Sequence, residues 1–140
     1  MKRYVFLLVV CLLLLVCPNL WAAERVYAIL ANNFPGKVTI IQWAGLLNTD
    51  TGAPFIAPYP LEKTIQVKGT FGAGGNCRIE GTNDVTTPTW AALNDAFGTA
   101  LNITAAKVAT VLEGTYQIRP NITAGDGTTS LTVTLILIRQ

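Results

Sequence analysis

The chain has 140 residues, of which 51% are hydrophobic and 13% charged, and its formal net charge is +2. That excess is Lys2 and Arg3. From Glu24 onward basic and acidic residues balance, so no basic field is there to recruit nucleic acid or an anionic membrane. The sequence has no histidine, and beyond Cys11 and Cys17 near its start it holds only Cys77. This removes the usual general base, the commonest zinc ligand, every Ser-His or Cys-His pairing and any disulfide framework. A non-enzymatic protein with no metal and no cofactor is predicted.

Residues 1–23 have the layout of a secretory leader. Met1-Lys2-Arg3 is a basic start, Tyr4 to Val16 is almost wholly apolar, Pro18 breaks it, and Leu20-Trp21-Ala22-Ala23 brings small residues to a cut after Ala22 or Ala23. The second cut places Trp21 third before the cut, an unusual residue there. A membrane-crossing helix needs about 20 apolar residues, and this run stops short of that. The open alternatives are a retained hydrophobic N-terminal helix, the chain's one predicted membrane contact, and a mis-assigned start. Leu15-Val16 lacks the small residue usual before a lipidated cysteine, which argues against Cys17 as a lipid anchor.

Residues 24–140 are predicted to form a single β domain. Arg25 to Ala31 reads as a first strand, closed by Asn32-Asn33-Phe34-Pro35-Gly36, and Lys37 to Trp43 as a second, rich in β-branched residues. Ala44 to Glu62, with Pro54, Pro58 and Pro60, reads as a long irregular loop, a kind that often carries contacts. In Lys63 to Phe71, Ile65 and Val67 share a face and Lys63 falls among the polar positions. Gly72-Ala73-Gly74-Gly75 then turns into Asn76 to Thr82, and the two strands are expected to form a hairpin. That glycine run lacks the Lys-Ser/Thr ending and the following helix of a phosphate loop.

Thr89 to Leu93 reads as a short strand with Trp90 inward. Ala100 to Thr104 and Lys107 to Glu113 are candidate strands, with a short helix open at Ala105-Ala106. Tyr116 to Thr123 is a strand in which Pro120 argues for a sheet edge or an end. After the turn Ala124-Gly125-Asp126-Gly127, Ser130 to Arg139 alternates most clearly of all, Leu131, Val133, Leu135 and Leu137 opposing Thr132, Thr134, Ile136 and Ile138. Roughly seven to nine short strands with turn chemistry between them indicate an antiparallel β-sandwich or jelly roll.

Five side chains stand out as partner or ligand contacts. Trp43, Phe55 and Tyr59 lie in or beside the long loop, where exposed rings would stack on glycans or anchor a partner; the competing reading makes Trp43 and Trp90 core residues and has Phe55 and Tyr59 pin the loop. Ile136 and Ile138 make the last strand apolar on both faces, as suits either a covered central strand or a surface for another subunit. Asp84, Asp95 and Asp126 read as turn residues. The sequons at Asn102 and Asn121 are motifs a Thr-rich β protein acquires by chance.

One resemblance runs through most of the domain. Val67-Lys68-Gly69-Thr70-Phe71-Gly72, Ile79-Glu80-Gly81-Thr82-Asn83-Asp84, Thr89-Trp90 with Leu93, Ile118-Arg119-Pro120 and Gly125 to Leu135 resemble small β-sandwich virion-associated proteins of tailed bacteriophages and prophages. The resemblance implies a structural role in the particle, as capsid decoration or a tail- or neck-associated part, with other virion proteins or further copies of itself as partners. The Gly-Thr-Asn-Asp…Trp stretch is also similar to discoidin-type, galactose-binding-like jelly rolls, which implies instead a secreted or periplasmic carbohydrate- or surface-binding module. The expected location is accordingly the virion, or outside the cytoplasm where the leader is genuine.

Overall fold

A computed structural model of the chain describes residues 22–33, 37–57 and 62–139. The apolar segment of the leader and Tyr59 lie outside the described residues. Within them the protein is all β, with no helix and two mostly antiparallel sheets. In chain order the strands are β1 (Glu24–Arg25), β2 (Tyr27–Asn33), β3 (Val38–Leu47), β4 (Thr51–Gly52), β5 (Phe55–Ile56), β6 (Glu62–Thr70), β7 (Asn76–Thr82), β8 (Ala91–Ala92), β9 (Asn102–Ile103), β10 (Lys107–Val111), β11 (Gln117–Ala124) and β12 (Ser130–Ile138).

The five-stranded sheet runs β10-β6-β12-β3-β2. The seven-stranded sheet runs β1-β4-β11-β7-β8, with β5 also on β11 and β9 also on β7. Ile41, Trp43, Ile65, Val67, Leu131, Val133, Leu135 and Leu137 of the first sheet join Cys77, Ile79, Ile103, Ile118 and Ile122 of the second in one buried cluster. Period-2 alternation produces this, because every second side chain of each long strand faces the same side. Each fully buried Ile or Leu contributes about 1.5–3 kcal/mol relative to an exposed one.

Several connections depart from the sequence reading. The expected first strand is split at Val26, β1 pairing with β4 in one sheet and β2 with β3 in the other. The long loop is not irregular throughout: β3 continues to Leu47, and β4 and β5 are short strands on β11. The glycine-rich turn closes no hairpin. β6 pairs with β10 and β12, while β7 pairs with β11, β8 and β9, so residues 71–75 carry the chain from one sheet to the other. Alternation specifies which face of a strand is buried but not which strand lies beside it. Lys63, expected among polar positions, shares the inward face of Ile65 and Val67 and is only 2% exposed. Its Nζ donates to the Glu113 carbonyl at 3.3 Å, and burial pushes its pKa down.

Pro120 is the clearest departure, since β11 is central in its sheet. Its partner Ile79 turns both backbone groups toward the other side, donating to the Leu101 carbonyl and accepting from the Leu93 N–H. Pro120 therefore meets β7 at a site where no N–H is called for. On its other flank it falls between the contacts of β11 with β4, at Asn121, and with β5, at Gln117 and Ile118. A proline fits where the ladder is interrupted on one side and needs no donor on the other.

The crossover at 71–75 is docked rather than free. Asp126 accepts from the Ala73 N–H at 2.7 Å, and Thr129 Oγ1 donates to the Phe71 carbonyl at 2.8 Å. Gly72 has φ of 70°, and a Cβ there would collide with Asp126 Oδ1. Hydrogen bonds from the Thr128 hydroxyl and from the Ala73 and Thr128 N–H groups hold the Asp126 carboxyl down at about 2. Its contribution is complete above the ordinary carboxylate range and is lost as the pH falls through that lowered value. An NMR titration of the Ala73 amide signal is expected to show a midpoint near pH 2, and a midpoint near 4, the ordinary aspartate range, would refute the docking.

Candidate contact surface

Ile136 and Ile138 lie on the outward face of β12, opposite the buried Leu135 and Leu137. Because β12 is central, each meets a neighbour on both sides: Ile136 pairs with Ile40 and Thr64, Ile138 with Val38 and Glu62. Val38, Ile40 and Ile136 are half-buried and Ile138 is 39% exposed, forming an apolar patch on the side away from the core. The patch ends one pair further along, where Gln42 Nε2 donates to Thr134 Oγ1 at 3.0 Å. Toward β2 it continues to Ala31, opposite Ile40; at a bulge between Ile29 and Ala31, Leu30 is 55% exposed, and Ile29, paired with the inward Ile41, is 58% exposed. The two isoleucines singled out in the sequence are thus brought together with apolar residues of β3.

The aromatic set is not an exposed platform. Trp43 is fully buried, its indole N–H donating to the Ala53 carbonyl at 3.0 Å. Of the two readings open for Trp43 its burial fits the core one and not a ring offered to a ligand: Trp43 shares the inward face of Ile41, and Tyr27 meets its ring edge-on at 5.9 Å. Tyr27 in turn meets Phe55 edge-on at 5.4 Å, so Phe55 is half-buried against the core. Trp90, expected inward, lies on the outer face of the seven-stranded sheet, where the Arg119 guanidinium sits 3.9 Å above its ring.

That outer face carries a second polar constellation. Glu80, 1% exposed, accepts from Arg78 Nε at 2.8 Å, from Arg119 Nη2 at 3.0 Å and from Asn121 Nδ2 at 2.9 Å. Burial alone would push its carboxyl up, but the hydrogen bonds from Asn121, Arg78 and Arg119, with the Arg119 charge, together outweigh this and hold it below the ordinary range. Both carboxylate oxygens are engaged, which leaves Glu80 an anchor for β7 and β11. Asp84 and Asp95 are closed on their own turns, Asp84 by the Thr86 and Thr87 N–H groups and Asp95 by those of Phe97 and Thr99. Among the described residues no group of three or more metal-ligating side chains converges, and burial pushes the Cys77 thiol up to about 12.

Sequence reading missed one further feature. Beside β10, an edge strand, runs a groove of about 380 Å³ lined by Thr64, Asp95, Phe97, Lys107, Val108 and Thr110. Phe97 is 93% and Val108 59% exposed. The only hint in the sequence was a large aromatic within the turn Asn94 to Gly98, where polar residues are usual.

No family model matches the chain and no curated protein matches its sequence. Among solved structures it is similar to the SPBc2 prophage-derived protein YomS, with a TM-score of 0.57 and 11% identity over 80% of this chain and 100% of that one. At that identity the likeness is one of fold. KdgF from Halomonas sp. overlaps more loosely, with a TM-score of 0.40 and 10% identity over 81% of this chain and 78% of that one, and carries no argument.

Proposed function

We propose that the protein is a non-catalytic structural subunit of a bacteriophage or prophage particle, a β-sandwich that joins its neighbours through the outward face of its five-stranded sheet. One observation carries the reading: the apolar patch of Val38, Ile40, Ile136 and Ile138 faces away from the core, where solvent-facing strands usually present polar side chains. The fold shared with the whole length of a prophage-derived protein supports it, as does the lack of histidine. Burial of Trp43 weighs against the glycan-binding alternative. Export through the leader would move the place of assembly without changing the surface used.

The test is the double substitution Ile136→Lys with Ile138→Lys. The wild-type protein is expected to run as a defined oligomer in light scattering and to be found in purified particles by mass spectrometry. The double variant, checked for folding by circular dichroism, is expected to be monomeric and absent from particles. A wild-type monomer that never enters particles, or one that binds glycans in that state, rejects the proposal.

A further inference from the structure

The beginning of the β domain is held by a carboxylate as well as by strand pairing. Asp50 is 2% exposed, and its two oxygens divide their partners. Oδ2 accepts from Arg25 Nε at 2.6 Å and from the Leu47 N–H at 2.9 Å, whereas Oδ1 accepts from the backbone nitrogen of Ala23 at 3.0 Å. The Ala23 carbonyl accepts from the Thr51 N–H at 3.0 Å, and the Arg25 carbonyl from the Ala53 N–H at 2.7 Å. Both backbone groups of Ala23 therefore belong to the fold, while Ala22 is exposed.

We propose that the chain is processed between Ala22 and Ala23, and that the α-ammonium group released on Ala23 forms an ion pair with Asp50. Hydrolysis of this amide by a leader-type endopeptidase consumes one water. It leaves a carboxylate on Ala22 and an amine on Ala23, which takes up the proton. The cut precedes folding, because the folded domain holds the Ala23 nitrogen against Asp50. A cut one residue later would discard Ala23, and with it both the bond to Asp50 and the bond from Thr51.

The chemistry of the site changes with the cut. Before it, the Ala23 nitrogen offers Asp50 one neutral donor. After it, the same atom carries a positive charge at neutral pH, since an α-amino group has a pKa of about 7.7–8.0. Hydrogen bonds with an ionised donor and acceptor are roughly twice as strong as neutral ones. The other cation at the site, Arg25, is bound to the opposite oxygen and is 38% exposed, so the two positive groups do not compete for one acceptor. Processing thereby completes a charged clamp that ties β1 to the β3–β4 turn. The clamp belongs to the seven-stranded sheet, and the inference is independent of the contact face on the other sheet.

The experiment exports the full chain from a bacterial host and measures the intact mass of the product. The expected product begins at Ala23; one beginning at Glu24, or one that retains Met1, overturns the proposal. The α-amine of the product is then acetylated near pH 7, conditions that favour an α-amino group over lysine side chains because its ordinary pKa is lower. The melting temperature is expected to fall by about 5 °C in the wild-type protein and to change little in Asp50→Asn. Equal falls in both proteins would overturn the ion pair. Should Asp50→Asn fail to fold, the acetylation rate decides: the α-amine is expected to react at least about tenfold more slowly in the folded protein than in urea, and equal rates refute the pairing.

Discussion

Replacing Trp43 with alanine is expected to lower the free energy of unfolding by about 4 kcal/mol, the cost typical of emptying a large buried aromatic site. The side chain is fully buried in β3, between the inward faces of both sheets, and Tyr27 meets it edge-on. Little can collapse into the space left behind. Pro120 and Gly52 already crowd one side, since a Cβ on Gly52 would approach both the Trp43 ring and Pro120 to 2.6 Å. Trp43→Phe keeps most of the volume but leaves the Ala53 carbonyl without its indole donor, so a smaller loss of about 1–2 kcal/mol is expected. Urea denaturation followed by circular dichroism measures both. A Trp43→Ala protein of wild-type stability that had lost a ligand would instead restore this residue to a binding surface.

The same residue explains why some of the protein was legible in its sequence and some was not. Alternation in Ser130 to Arg139 set Leu131, Val133, Leu135 and Leu137 on one face directly, because the pleat puts every second side chain on the same side, whereas Lys37 to Trp43 was legible as a strand but left Trp43 open between core and contact surface. Which strands become neighbours depends instead on contacts distant in sequence. Residues 71–75 read as a hairpin turn because a glycine-rich run between two alternating strands usually is one. They form a crossover because β12 takes the place beside β6, and because Asp126, far along the chain, captures the Ala73 N–H. Pro120 misled for a similar reason: its missing N–H matters only relative to Ile79, whose backbone turns toward Leu93 and Leu101.

The proposed contact surface was partly legible by the same logic. Ile136 and Ile138 break the apolar-polar rule of a one-sided strand, and that breach is visible in sequence. Their partners Val38 and Ile40 are not, since the pairing of β3 with β12 joins strands far apart in the chain, which alternation within either strand does not reveal. The exposed Phe97 beside the β10 groove left no periodic trace at all, because turn residues follow neither the strand nor the helix period.

Glu80→Ala is expected to cost about 3 kcal/mol, less than its burial alone suggests. Removing the carboxylate leaves two guanidinium groups and the Asn121 amide facing one vacated site. Their side chains differ in access to water, Arg78 being 39% exposed and Arg119 18%. Arg78 can turn into solvent, while Arg119 stays against the Trp90 ring with its counter-charge gone, and most of the loss falls there. Glu80→Gln keeps an acceptor for Asn121 or one arginine and is expected to cost about half as much. The two variants also separate charge from shape through pH. Because the Glu80 carboxyl lies below its ordinary range in the folded protein, it favours protonation more in the unfolded chain. Its stabilisation is therefore complete above about pH 4.5 and drains away as the pH falls through the lowered folded value. Urea midpoints from pH 7 down to about 2.5 are expected to converge for wild type and Glu80→Gln, while the slopes owed to Asp84, Asp95 and Asp126 persist in both. Parallel curves across that window would mean that the carboxylate holds β7 to β11 by its shape alone.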